Sequence, residues 1–144
     1  MAIHNEFKKQ LLEAQGTSFK LALMTSSYTP NIDTQNFFSD VSANEVVAPG
    51  YTAGGKALVN VSVTKDNATD KAKLDADDLL WTNLDLSGTN VAYLVIYKNT
   101  GAANTSTIVQ SKRLKDGAGN DATFNGNYAQ FPVPMPAEGI LVGV

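Results

Sequence analysis

The sequence predicts a mainly β protein: a single antiparallel β-sandwich or barrel domain over residues 1–144, with a short N-terminal helix and one short helical turn. Three observations predict it. Val91-Ala92-Tyr93-Leu94-Val95-Ile96-Tyr97 is apolar on both alternating faces and mostly β-branched or aromatic, so it reads as a central strand covered on two sides. Lys56 to Lys65 sets Ala57, Val59, Val61 and Val63 on one face against Asn60, Ser62 and Thr64 on the other, the period of a half-buried strand. Short runs of this kind recur along the chain between turn residues, the spacing expected of a sandwich or barrel.

Residues 1–16 form the N-terminal helical segment and 17–144 the β domain. Asn5 is placed to cap a helix from Glu6 to Gln15, with Gly16 as its stop. Phe7, Leu11 and Ala14, with Leu12 beside them, make one apolar face for docking on the chain's own sheet or on a neighbouring subunit; Lys8, Lys9 and Glu13 face water. Thr17 to Met24 alternates Phe19, Leu21 and Leu23 against Ser18, Lys20 and Ala22, a strand signal. After a polar loop to Asp33, either Asp33 or Thr34 caps a helical turn carrying Phe37, Phe38 and Val41.

Asp66 to Asp70 is a turn, and Lys71 to Asp75 alternates again, which makes a hairpin with one wet face. Leu79, Leu80, Trp81, Leu84 and Leu86 lead into the central strand. Asn99 to Thr107 reads as an exposed loop, Thr107 to Leu114 as a strand and Asp116 to Gly119 as a turn. Tyr128 to Val133 and Ile140 to Val144 are the last two strands, with the C-terminal run tied into a sheet. Pro132, Pro134 and Pro136 cannot donate ladder hydrogen bonds, so their segment is an edge or an extended arm.

Composition excludes several classes of chemistry. With 0 Cys there are no disulfides, thiolate metal sites or cysteine nucleophiles. A net charge of -3, with charged residues only 17% of the chain, argues against binding a nucleic-acid backbone. No apolar run approaches the length of a membrane span. The first residues lack a basic stretch followed by an apolar one, so folding in a cytoplasm is the expectation.

Each motif that resembles a site has a structural reading beside it. Gly50-Tyr51-Thr52-Ala53-Gly54-Gly55-Lys56 matches G-x-x-x-x-G-K, but Ala57 and a strand pattern follow where a phosphate-binding loop needs Ser or Thr and a helix. Gly117 to Asp121 holds one copy of G-x-G-x-D, a pattern that binds calcium only when stacked in tandem, and reads as a hairpin turn. Asp75, Asp77 and Asp78, near Asp66 and Asp70, miss the EF-hand pattern and read as a solvated acidic turn. His4, the only histidine, reads as a surface residue, and nothing brings Glu45 and Glu138 together as a glycosidase pair. No catalytic, cofactor or metal residue is therefore assigned. Trp81, set among leucines, reads as core, while Tyr28 and Tyr51 lie in loops suited to surface contact. A carbohydrate-binding or adhesin module using these three rings is the rival reading from another functional class.

Lys20-Leu21-Ala22-Leu23-Met24-Thr25-Ser26-Ser27-Tyr28-Thr29-Pro30 and Phe37-Phe38-Ser39-Asp40-Val41-Ser42-Ala43-Asn44-Glu45-Val46 resemble a family of small structural proteins of tailed bacteriophages. So do Gly50 to Lys56, Leu74 to Asp78 with Trp81-Thr82-Asn83, and Ala92 to Lys98, so that the resemblance spans most of Lys20 to Thr107. Past Leu114 the chain departs from the family pattern. The resemblance implies a virion component made in the host cytoplasm: a capsid decoration (cement) protein on the outer head shell, or else a neck or tail piece. It implies the major capsid protein or other virion subunits as partners, and a homo-oligomer, with a trimer first. The candidate interface residues are Phe7, Leu11, Tyr28, Tyr51, Asn99, Thr100, Pro132, Pro134 and Pro136.

Overall fold

The structure, a computed structural model, describes residues 1–136 and 139–142. Along the chain run α1 (Asn5–Glu13), β1 (Phe19–Thr25), two 3₁₀ turns (Phe38–Asp40 and Ser42–Asn44), β2 (Lys56–Ala57), β3 (Ser62–Asp66), β4 (Lys71–Asp75), β5 (Leu79–Asp85), β6 (Val91–Lys98), β7 (Ile108–Arg113), β8 (Asn127–Val133) and β9 (Leu141–Val142). The protein is mainly β, and its registered strand pairs are antiparallel. Two compact units form: Met1–Thr17, Leu58–Leu79 and the segment from Val133 make one, and Ser18–Ala57 with Leu80–Pro132 make the other.

The larger unit is built on a four-stranded sheet in the order β2-β1-β6-β7. The run 91–97 is its inner strand, as its two apolar faces require: β6 pairs with β1 from Phe19↔Lys98 to Thr25↔Val91 and with β7 along its other edge. On one face Ala22, Met24, Val95 and Tyr97 pack with Tyr28, Phe38 and Val41, and Phe38 stacks on Tyr97 at 4.2 Å between ring centroids. On the other, Leu21, Leu23, Ala92, Leu94 and Ile96 are also buried. The unit holds a second sheet, of β5 and β8. Leu79 and Trp81 of β5 are buried while Leu80 between them is exposed, the alternation of a strand with one wet face. At Asn83, which has a left-handed φ of 51°, the phase changes and Leu84 is the next buried residue.

The smaller unit is a three-stranded sheet in the order β3-β4-β9, with α1 against β3 and β4. The expected hairpin is present, registered from Ser62↔Asp75 to Asp66↔Lys71, with Ala72 and Leu74 buried. Asp66 closes its turn by accepting the N–H groups of Ala68 (3.0 Å) and Thr69 (3.3 Å). The C-terminal run is tied in through Lys73↔Val142 and Leu74↔Leu141. Glu138 and the end of the last predicted strand, 143–144, lie outside the described residues.

Several expectations are corrected. The alternating run Lys56 to Lys65 is two short strands rather than one: the chain leaves the sheet after Ala57, and Asn60 takes a left-handed φ of 53° before β3 begins. Alternation cannot register such a break, because both halves keep the same period. Val59, predicted to face inward, is exposed. Asn5 lies inside α1, and the N-cap is His4, which makes no side-chain capping bond. Neither Asp33 nor Thr34 caps a helical turn: Asn31 Oδ1 accepts both their N–H groups (3.0 and 3.2 Å), and two 3₁₀ turns follow instead of one. Phe37, expected in the core, is partly exposed, whereas Phe38 and Val41 are buried.

At Gly55, where φ is +79°, a Cβ would stand 1.9 Å from the Leu21 carbonyl oxygen, so β2 reaches β1 only because the residue is glycine. Gly101 has a similar φ of +89° with open space around it. Gly101→Ala should therefore cost only about 1–3 kcal/mol of backbone strain, while Gly55→Ala should cost more than that because its Cβ also meets the Leu21 carbonyl. Urea denaturation of both variants checks the difference, and equal losses would contradict the close approach.

Candidate functional site

The segment 45–56, which carries the G-x-x-x-x-G-K match, completes the open edge of β1. β2 covers β1 only at Lys20 and Leu21. Beyond it, Leu23 N–H donates to the Tyr51 hydroxyl at 3.0 Å, Leu23 O accepts from Val46 N at 3.0 Å, and Met24 bridges to Glu45. The Tyr51 hydroxyl in turn donates to Glu45 Oε1 at 2.8 Å, and the Gly54 N–H donates to the same oxygen at 2.5 Å. Tyr97 donates to Gly54 O at 2.6 Å. An amide that a phosphate-binding loop would turn toward its ligand is thus held by the protein's own carboxylate. Lys56 Nζ donates to Leu80 O at 2.7 Å and lies 5.5 Å from the centre of the Trp81 ring. The motif is a glycine-rich turn into a strand, as the missing Ser or Thr implied.

Burial pushes the Tyr51 and Tyr97 phenols up, and the carboxylate of Glu45 adds to both; Tyr97 is pushed up to about 12. Tyr51, expected in a surface loop, is half-buried and stacks near Trp81, with ring centroids 6.1 Å apart. Tyr28, also expected at the surface, is buried: its hydroxyl meets Gln35 Oε1 at 3.0 Å and Ser111 Oγ at 2.8 Å, and its ring stands edge-on to Tyr93. Trp81 is buried, as its leucine neighbours indicated.

Of the two dockings expected for the apolar face of α1, the chain's own sheet receives only Leu12. Phe7 and Leu11 are 54% and 42% exposed and Ala14 is exposed, while Leu12 is the buried residue of the helix at 7%. The helix also makes polar contacts to the hairpin. Asn5 Nδ2 donates to Asn67 Oδ1 (3.2 Å) and Asp70 Oδ1 (3.1 Å), Lys8 Nζ donates to Asp70 O (2.5 Å), and Lys65 pairs with Glu6 at 2.9 Å. Phe7 and Leu11, four apart on the helix, share one exposed face, and Ile3, ahead of the helix, is exposed as well. An open groove of about 510 Å³ is lined by Met1 to Asn5, Lys8 and Asp70.

The remaining candidates divide. Thr100 is exposed and Asn99 half-buried, and their loop is braced internally: Thr100 N–H donates to Ser106 Oγ at 3.1 Å, Ser106 Oγ donates to Ala102 O at 2.9 Å, and Asn99 Oδ1 accepts from Gly101 N at 3.2 Å. Pro132 and Pro134 are exposed and Pro136 half-buried; Pro132 lies in β8, in a two-stranded sheet where both strands are edges. Asp78 Oδ1 accepts from Met135 N at 2.7 Å, which fastens the proline segment to the smaller unit. Two exposed apolar residues were not legible as contacts. Ile32 (91%) rides on a loop clamped by Gln35, whose side chain bonds Asn31 N and Thr29 O at 3.0 Å each, and Val47 (92%) follows the buried Val46. Neither belongs to a periodic apolar pattern that would mark it.

The acidic turns satisfy their own carboxylates. The Thr69 hydroxyl, with the N–H groups of Thr69 and Ala68, holds Asp66 below the usual carboxylate range; the N–H groups of Asn120 and Ala118 do the same for Asp116. Lys115 holds Asp121 down across the base of the Asp116–Gly119 turn. Among the described residues no three His, Cys, Asp or Glu side chains gather closely enough to hold a metal ion.

No family model matches the chain, and no curated protein matches it significantly.

Removing the Leu12 anchor should cost far more than removing the outward row. Leu12→Ala is expected to destabilise by about 2 kcal/mol or more, and Phe7→Ser to stay within about 0.5 kcal/mol, read by urea denaturation. The tyrosines give a second expectation. Unfolded phenols ionise near pH ~10, whereas native Tyr51 and Tyr97 keep their protons beyond that point. The native state therefore binds more protons in the window between, and stability falls as pH rises through it. In Tyr51→Phe with Tyr97→Phe the fall should be shallower, measured as the slope of the urea midpoint against pH.

Proposed function

We propose that this chain is a structural protein of a tailed-phage virion, a capsid decoration protein that binds the outer head shell and reinforces contacts between shell subunits. The observation that carries this reading is the outward apolar face of the helix. α1 is tethered to its hairpin by hydrogen bonds and one ion pair, and it turns Phe7 and Leu11 to solvent, with Ile3 exposed ahead of it. A helix that serves only its own fold buries its apolar stripe; one that leaves the stripe outward offers it to another surface. A decoration protein works by adding buried area between subunits that already touch, which calls for a stable scaffold and a few anchors. The braced loops at 28–36 and 99–107 suit that role, since a preorganised loop loses little freedom on contact. The virion context comes from the resemblance of residues 20–107 to phage structural proteins.

The partner is then the major capsid protein, with other virion subunits as the alternative, and the protein is located in the virion. A homotrimer, matching a threefold position on the shell, is the first oligomer to test. The adhesin reading loses its motive, because Trp81 and Tyr28 are buried and Tyr51 is bound within the fold.

Co-sedimentation with purified shells of the parent phage tests the proposal. The wild-type chain should pellet with shells, and Phe7→Ser with Leu11→Ser should weaken binding by about tenfold or more. Failure to bind shells, or density confined to the neck or tail in cryo-EM of the virion, would overturn the head-decoration reading.

A further inference from the structure

We propose that Asn125 is a site of spontaneous succinimide-mediated deamidation, selected by the backbone around it. Of the thirteen asparagines in the sequence, this one alone is followed by glycine. Asn125 is exposed, and its side-chain amide makes no hydrogen bond among the described residues. The backbone on either side is pinned. Phe124 and Val91 exchange both hydrogen bonds (2.8 and 2.9 Å), and Leu86 N–H donates to Gly126 O at 2.8 Å. No bond returns from Gly126 N–H to Leu86 O among the described residues; that carbonyl accepts Thr89 N–H at 3.1 Å. The nucleophile and the electrophile are thus neighbours in the chain, and neither is engaged.

The reaction needs only water. Gly126 N attacks Asn125 Cγ and forms the N–Cγ bond; the Gly126 amide proton leaves with the side-chain NH₂ as ammonia, and a five-membered imide remains. Water then adds across one imide C–N bond, its OH going to the carbonyl carbon and its H to nitrogen. Cleavage at the backbone carbonyl gives isoaspartate, and cleavage at Cγ gives aspartate. Either product adds one negative charge.

Other asparagines are worse placed. Asn67 Oδ1 accepts from Asn5 and Asn99 Oδ1 from Gly101 N, and the nitrogens that would attack these two side chains, Ala68 N and Thr100 N, donate to Asp66 Oδ1 and Ser106 Oγ. A side chain on the following residue also crowds the attack at each of them. Isoaspartate would put an extra backbone atom between the Phe124–Val91 bridge and the Leu86–Gly126 bond, so the aged form should be less stable.

The full-length folded chain, incubated at mildly alkaline pH and followed by peptide mass mapping and isoaspartyl methyltransferase labelling, tests this. Modification should accumulate at Asn125 ahead of every other asparagine, and the modified fraction should unfold at lower urea. Gly126→Ala is the informative variant. Gly126 does not have a left-handed φ, and a Cβ there would stand 3.4 Å from the Tyr128 ring, an ordinary contact. In that variant the rate at Asn125 should drop to that of the remaining asparagines. The proposal is overturned if Asn125 stays intact in the folded chain while it deamidates in urea, if another asparagine reacts first, or if Gly126→Ala leaves the rate unchanged.

Discussion

The pairing of β1 with β6 is the constraint on which the larger unit depends. Seven residues of β1 are registered against β6, and side chains on both faces of the pair are buried. A strand pair buried on two faces cannot slip by one residue without exchanging its two faces, so the register is held by packing as well as by the ladder. Tyr97 shows how far this reaches. It is fixed opposite Lys20, its ring stacks on Phe38, and its hydroxyl holds Gly54 O, so that one β6 side chain positions both the 3₁₀ segment and the glycine-rich loop.

From that pair outward, the loops are organised by the need to satisfy buried backbone groups. β2 is only two residues long, and the N–H and C=O of Leu23 would be left open beyond it. A phenol and a strand-like segment take the place of the missing ladder: Tyr51 receives Leu23 N–H, and Val46 N–H reaches Leu23 O. Glu45 completes the arrangement by accepting from both Tyr51 and Gly54. The same logic operates at Gln35, which binds Tyr28, Asn31 and Thr29, and at Ser106 within the loop 99–107. Loops stapled in this way hold their shape without a partner, and a surface meant for docking gains from that rigidity.

The smaller unit adds the feature that bears most directly on function. Its helix is attached by Leu12 and by polar tethers, and the apolar residues that amphipathic logic would turn inward face out. The two sides of the helix compete for the hairpin, and the side with hydrogen-bonding partners at Asn67 and Asp70 is the one that docks. The bare residues Phe7 and Leu11 are the consequence, and in the proposed role they are what the protein brings to a shell.

By itself the sequence determined the β class, the inner strand at 91–97, the hairpin turn at 66–70 with its second strand at 71–75, the buried Trp81 and the structural nature of the glycine-rich turn. Each of these follows from residues a few positions apart, where side-chain period and turn chemistry act locally. The tertiary structure alone decided which way α1 faces, that Tyr28 and Tyr51 are inside, and that the alternating run after Lys56 is broken at Asn60. Those outcomes turn on partners distant in the chain: Asp70 for Asn5, Ser111 for Tyr28, Leu23 for Tyr51. A pattern of polarity states that a side chain can be buried, but only the fold supplies the group that meets it.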